Sequence, residues 1–394
     1  MDLAGLRIAL FSGNYNFVKD GANQALNRLV GYLLRNGAAV RVYSPVTDTP
    51  AFPPTGELVP APSFPFPGRS EYRFSTGLSA RVRRDLKAFA PNLVHVAAPD
   101  VLGHRAVGWG RKHGLPVLAS VHTRFETYPR YYGLAFLEPV LLGMLRRFYR
   151  RCDAIVAPSE SFAQLLRDQR MNYRVGVWSR GIDHGQWHPG RRDLHWRAAL
   201  GIADDEVVIG FLGRIVMEKG LDVFSDTIDA LKQRGVRHRV MVVGDGPARD
   251  WFMRRLPEDA VFTGFQMGND LARAVASMDI FFNPSVTETF GNVSLEAMAC
   301  GLPVVAALAT GSDTLVKDGV TGRLVRPGAI AAFADALGEF SENAELRRQM
   351  GAAGIAAAAR YDWDTINAAV AELYWRLLRE REAGGGPAPR SRVP

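Results

Sequence analysis

Two carboxylates, Glu288 and Glu296, stand eight residues apart in the window NPSVTETFGNVSLEAMACGLPVVAA, residues 283–307. Glu296 falls in a stretch that predicts a helix beginning near Asn292, with Phe290 and Gly291 in the loop before it. A glycine-bearing loop running into a helix offers backbone N–H groups at the positive end of the helix dipole, which suits a phosphate or a sugar hydroxyl. The loop carboxylate would face the same ligand. An isolated pair of this kind is more often a cap and a solvated helix residue, but the density of Pro, Ser, Thr, Phe and Gly around this one favours a site.

Upstream, the segment GRIVMEKGLD sets Gly213 and Arg214 after a predicted strand and Lys219 five residues beyond Arg214. Two cations at one strand end can neutralise a diphosphate and stabilise charge on it as a leaving group. Alone, such a pair is more often two solvated side chains. His122 ends the run PVLASVH and opens the loop TRFETYPRYYG, residues 123–133. A single strand-end histidine is usually structural. The loop GNYNFVKDG, Gly13 to Gly21, lies between the first predicted strand and helix, where this kind of fold brings backbone to a phosphate or an acceptor.

These residues need strand ends to hold them, and the chain supplies a regular series. RIALFS, a helical span near Ala22–Asn36, AVRVYSP, a helix over Ser79–Ala90, LVHVAA and PVLASVH alternate in the first half. VVIGFLG, a helix around Leu221–Arg234, RVMVVGDG, AVFTG, DIFFNPS, a helix through Val293–Cys300 and PVVAA alternate in the second. That rhythm predicts an α/β fold with two similar parallel-sheet domains, and such folds bind ligands at the carboxyl ends of their strands. We expect one domain over residues 1–185, a second over 186–365, a terminal helix at 366–383 packing back on the first domain, and a disordered tail at 384–394. The connection is read near residues 183–195, where GIDHGQWHPG is poor in aliphatic side chains. Thr49–Ser70 holds seven prolines and reads as an irregular surface connection.

The composite pattern PS-x-x-E-x-F-G followed by LEAMACGLPVV resembles the E-x7-E signature of the retaining glycosyltransferases of family 4, and the resemblance extends over roughly residues 5–380. It implies the GT-B architecture, two Rossmann-like domains facing across a deep cleft. It further implies that Arg214 and Lys219 bind the donor diphosphate, Glu296 the ribose hydroxyls and Glu288 the transferred sugar. N–H groups near Phe290, Gly291 and Asn292 would contact sugar or phosphate, Gly213, Gly244 and Gly246 would lie along the nucleotide, and Phe265 in the stretch Gly264–Met267 would touch the base. His122 would meet the donor sugar from the other domain, which makes His122, Glu288, Arg214 and Lys219 the catalytic set. HTRF, residues 122–125, is similar to the His-Thr-x-Phe loop of the family's bacterial mannosyltransferases, and so implies GDP-mannose as donor. Gly21 is followed by Ala22 where many members carry two adjacent glycines, a departure that bears on its phosphate contact. The family uses no essential metal, so the only co-substrate expected is a nucleotide diphosphate sugar, with no other cofactor.

Composition narrows the alternatives. With 47% hydrophobic and 22% charged residues the chain is globular, and 394 residues exceed a single core. Two cysteines leave no disulfide framework and no zinc-holding cluster, which fits a reducing cytoplasm. No run reaches the ~20 apolar residues of a spanning helix. Residues 1–180 carry 24 basic and 12 acidic side chains, the remainder 24 and 28. A positive first half attracts phosphorylated ligands, anionic lipid or nucleic acid without choosing among them. Leu134, Phe136, Leu137, Leu141, Leu142 and Leu145 lead into Arg146, Arg147, Arg150 and Arg151, a pattern of peripheral docking on an anionic membrane or of a core helix with a basic end. The leading expectation is a retaining hexosyltransferase acting on a lipid-linked or glycan hydroxyl. A UDP-sugar donor such as glucose or glucuronate is the alternative within the same fold. A non-catalytic sugar or nucleic-acid binding protein is disfavoured because no strand face interleaves aromatic and basic residues. A dinucleotide dehydrogenase is disfavoured because no G-x-G-x-x-G follows the first strand.

Overall fold

Four-residue runs made mainly of apolar residues are stable as strands only where both sheet faces are covered. β6 (Leu93–Val96), β7 (Val117–Ser120), β13 (Ile280–Asn283) and β14 (Val304–Ala307) are buried along their whole length. The computed structural model describes residues 2–18, 20–66, 69–127 and 133–384. The chain forms two compact units, one running to Arg180 and resuming at Trp363, the other spanning Gly181–Asp362.

In the first unit β1 (Arg7–Phe11), β2 (Ala39–Ser44), β3 (Glu57–Pro60), β6, β7, β8 (Ala154–Ala157) and β9 (Val175–Val177) form a parallel sheet in the order β3-β2-β1-β6-β7-β8-β9. Alternate residues of β1 feed two cores: Ile8 and Leu10 join Val40 and Val42 on one face, Ala9 and Phe11 join Tyr43 and Val94 on the other. The second unit repeats the scheme with β10 (Val208–Leu212), β11 (Arg239–Val243), β12 (Val261–Gly264), β13, β14 and β15 (Gly322–Val325), ordered β12-β11-β10-β13-β14-β15. In both sheets the order reverses at the first strand of the unit, which opens a crevice at its carboxyl end. Helix starts are set by short polar side chains. Asp20, Ser79, Asp100 and Ser159 each accept the N–H three residues on, starting the helices Gly21–Arg35, Ala80–Phe89, Val101–Lys112 and Glu160–Asp168.

The helix Trp363–Gly384 belongs to the first unit, where Val370, Tyr374, Leu377 and Leu378 join the core beside the helix Gly21–Arg35. Burying each of these side chains is worth about 2 kcal/mol relative to leaving it in water. Residues 183–195 lie inside the second unit, and Trp187 is part of its core.

The proline-rich segment is not irregular. It contains β3, the edge strand of the first sheet, and a two-stranded antiparallel ribbon of β4 (Ser63–Phe66) and β5 (Arg69–Ser75). Proline lacks a donor, and an edge position such as Pro60 at the end of β3 does not require one. The tail expectation falls on residues 385–394, outside the described residues, as do residues 128–132 of the loop after His122 and Lys19 of the first glycine loop.

Candidate active site

In the second unit, the loops after β10 and β11 are joined backbone to backbone. The Gly213 N–H donates to Val243 O at 3.1 Å, Ile215 N–H to Asp245 O at 2.9 Å and Ala248 N–H to Ile215 O at 3.1 Å. A Cβ on Gly244 would stand 2.0 Å from Gly213 O, and one on Gly246 would stand 2.4 Å from Ile215 O. Only glycine permits this approach, and at Gly244 φ is +136° as well. Gly244→Ala is therefore expected to cost about 2 kcal/mol or more, lowering the melting temperature by about 4–8 °C. Calorimetric unfolding checks this, and an unchanged melting temperature would mean that the loops separate freely.

Lys219 ends the short turn Met217–Lys219, and its Nζ donates to Glu288 Oε1 at 2.6 Å, with the lysine side chain 30% and the glutamate 13% exposed. Arg214, six residues after Val208 on the same strand-end loop, is exposed and has no charged partner among the described residues. The Glu288 loop is braced from both sides: Thr287 Oγ1 donates to Glu218 O at 3.2 Å and Thr310 Oγ1 to Glu288 O at 3.1 Å. Gly311 packs so closely on it that a Cβ would stand 2.9 Å from Phe290 N.

Phe290 is turned inward, edge-on to Tyr361 at 5.7 Å, so only its backbone is available to a ligand. Gly291, at φ +94°, precedes the helix Asn292–Ala299, and no side chain caps that end. Its first N–H groups are thus free to meet a ligand oxygen. Glu296 follows one turn later with no protein partner for its carboxyl among the described residues, and burial raises that carboxyl to about 8. The Cys300 thiol behind it is pushed up to about 12, by burial first and then by Glu296. At the outer end of β12, Phe265 is 67% and Met267 53% exposed. An aromatic face presented in this way can stack on a base.

The Glu296 value carries a pH prediction. Its folded value lies above the ordinary 4.5, so its contribution to stability is full below that value and is lost as pH rises through about 8. Urea unfolding between about pH 5 and about pH 9 should show this decline, and Glu296→Gln should flatten it. A decline of equal size in the variant assigns the effect to other groups.

In the first unit His122 follows β7, and its Nδ1 accepts Nη2–H of Arg180 at 2.7 Å. Burial, then Arg180 and His95, hold the ring well below the usual histidine range, so it is neutral near pH 7. The first glycine loop is stitched to residues 51–55 through Asn16, Asn27 and Tyr15. Gly21 opens the helix Gly21–Arg35, where the Asp20 carboxylate accepts the Asn23 N–H at 2.8 Å. Of the four arginines after the apolar stretch, three are engaged: Arg146 with Gln169 O, Arg150 with Arg170 O and Arg151 with His104. The helix Glu138–Tyr149 nevertheless leaves Val140 and Met144 59% and 60% exposed, with Phe136 at 72% just before it.

Sequence reading did not find Arg180, Asp20, Thr287, Thr310 or Gly311. Arg180 lies three residues after β9, and its strand-end position was the available signal. Among the described residues no group of three or more His, Cys, Asp or Glu gathers where it could hold a metal ion, and no helix is long and apolar enough to cross a membrane.

Two parallel-sheet units, together with the matches that follow, define a glycosyltransferase of GT-B architecture. Residues 19–186 match the profile described as Glycosyltransferase Family 4, and residues 206–343 that described as Glycosyl transferases group 1. The chain is 31% identical to a GDP-mannose-dependent alpha-mannosyltransferase of Mycobacterium tuberculosis, over 83% of this chain and 85% of the relative. It is 29% identical to a sulfoquinovosyl transferase of Arabidopsis thaliana, over 91% of this chain and 71% of the relative. It is 26% identical to an alpha-monoglucosyldiacylglycerol synthase of Streptococcus pneumoniae, over 81% and 75%. Among solved structures, sucrose-phosphate synthase from Thermosynechococcus elongatus superposes with a TM-score of 0.74 at 20% identity, over 95% of this chain and 99% of that one. The chain belongs to glycosyltransferase family 4.

Proposed function

We propose that this glycosyltransferase moves a hexose, with retention at the anomeric carbon, from a nucleoside diphosphate to a lipid-linked or glycan hydroxyl, and that its donor is GDP-mannose. The observation that carries this reading is the contact between Lys219 and Glu288, with Arg214, which has no charged partner among the described residues, on the same strand-end loop as Lys219, and a Glu296 carboxyl raised by burial in the helix after Gly291. In it, Arg214 and Lys219 neutralise the diphosphate, Glu296 takes the ribose hydroxyls, Glu288 and the N–H groups from Phe290 to Asn292 hold the sugar, and Phe265 stacks on the base. The glycine floor of Gly213, Gly244 and Gly246 runs beneath the nucleotide, with Gly21 a further backbone contact. His122 donates a hydrogen bond to the sugar.

The step breaks the bond between the anomeric carbon and the diphosphate oxygen and forms one to the acceptor oxygen on the same face. The acceptor proton passes to the departing diphosphate, and the two cations stabilise the charge that develops there. No metal is required, because two cationic side chains do what a divalent ion does elsewhere. The name of the Mycobacterium tuberculosis relative supports GDP-mannose, and that of the Streptococcus pneumoniae relative supports a lipid acceptor. The exposed Phe136, Val140 and Met144 beside Arg147 support peripheral contact with an anionic membrane from the cytoplasmic side.

Calorimetric titration with GDP and UDP in a chelating buffer, then with their mannose, glucose and glucuronate conjugates, tests the reading. Micromolar GDP binding with GDP-mannose preferred is the expected result. Selective UDP binding keeps the transferase and replaces the donor, and binding of neither removes the assignment.

A further inference from the structure

The ring of His122 is held by one side chain whose chemistry leaves no choice of tautomer. A guanidinium has donors and no lone pair, so the 2.7 Å contact from Arg180 Nη2 requires an unprotonated Nδ1 on His122. A neutral imidazole with a bare Nδ1 carries its proton on Nε2. Arg180 is itself fixed. It is 4% exposed, its Nη1 donates to the carbonyls of Trp178 at 3.1 Å and Ser179 at 3.2 Å, and its guanidinium lies 5.1 Å from the Trp178 ring centre. Trp178 also meets His122 edge-on at 5.5 Å. The charge of Asp20 acts on the buried guanidinium and keeps it cationic.

The other titratable group near the ring is His95, which is fully buried, bonded through Nδ1 to the Tyr374 hydroxyl at 2.6 Å and through Nε2 to Ser120 Oγ at 2.9 Å, and pushed down to about 3 by burial. It stays neutral at working pH. The guanidinium that touches the His122 ring opposes an imidazolium.

We propose that Arg180 is a positioning residue that locks His122 as a neutral Nε2–H tautomer, so that His122 serves transfer as a fixed hydrogen-bond donor and takes no part as an acid or a base. The role in transfer rests on the reading that His122 meets the donor sugar. The tautomer does not. A histidine acting as a base would need a bare Nε2, which the Arg180 contact denies it, and a histidine acting as an acid would need a second proton facing a guanidinium.

The test is a ¹⁵N-imidazole correlation spectrum of the full chain labelled at histidine, with His122→Asn identifying the signal. The wild type should show a single neutral Nε2–H tautomer from about pH 5.5 to about pH 8. An Nδ1–H signal, a tautomer mixture or an imidazolium in that range overturns the proposal without any further variant. Arg180→Met should give a tautomer mixture and a titration moved up toward the ordinary range. It should lower kcat about tenfold or more while the affinity for GDP, held by the second unit, stays within about twofold. Arg180→Gln, which keeps a donor without the charge, should restore the Nε2–H tautomer and part of kcat. Equal loss of kcat in both Arg180 variants, with His122 unchanged in both spectra, makes Arg180 a packing residue only. A shifted tautomer with undiminished kcat leaves Arg180 as the lock and removes His122 from the sugar, which separates failure of the functional reading from failure of this one.

Discussion

Glu288→Gln is expected to lower transfer by about a thousandfold and, at the same time, to strengthen binding of the free nucleoside diphosphate. The two effects have one origin. Lys219 Nζ lies 2.6 Å from Glu288 Oε1, so a diphosphate arriving alone must draw the ammonium away from a carboxylate that also repels it. Glutamine keeps the shape and the acceptor oxygen, removes the repulsion and leaves Lys219 to the ligand. The sugar loses its proposed charged partner. Side by side, calorimetry with GDP and a turnover assay resolve this. GDP affinity that falls together with turnover would show that the carboxylate supports the nucleotide, against the division of roles proposed above.

Lys219→Ala should be the most damaging single change for nucleotide binding, about a hundredfold in GDP affinity, against about tenfold for Arg214→Ala. Arg214 is exposed and without a charged partner among the described residues, so its loss removes an attraction and nothing more. Removal of Lys219 takes away an attraction and also leaves Glu288, 13% exposed, uncompensated where an anion must enter. The signature is non-additivity. Lys219→Ala combined with Glu288→Gln should bind GDP about tenfold better than Lys219→Ala alone, since the uncompensated charge is gone. Additive losses in the double variant mean that the two side chains act independently.

Much of the architecture was readable because parallel strands buried on both faces must be short apolar runs, and β6, β7, β13 and β14 are such runs. Helices were readable in extent because each is one continuous stretch of sequence: the expected spans Ala22–Asn36 and Ser79–Ala90 fall on the helices Gly21–Arg35 and Ala80–Phe89. The strands inside the proline-rich segment were not, because the signal against a strand is the missing donor, and at an edge or in a ribbon no partner asks for it. Within the site, local features such as the loop and helix start at Phe290–Asn292 could be read from neighbouring residues. The Lys219–Glu288 and His122–Arg180 contacts join positions 69 and 58 residues apart, and nothing in either neighbourhood announces the other. Arg180 in particular looks like part of a polar connection until β7 and β9 are brought into one sheet.

The closeness of Gly213, Ile215, Gly244 and Gly246 also bears on how donor preference can be altered. At Gly244 and Gly246, where no Cβ fits, neither natural drift nor a mutant library can add a side chain without first separating two loops that share three backbone hydrogen bonds. Variation is confined to the margins, and Phe265 and Met267, whose side chains are mostly in solvent, are the places to begin. On the proposed base contact of Phe265, a library at residues 265–267 samples base recognition on an unaltered foundation, and a changed GDP-to-UDP binding ratio is what such a library should yield first.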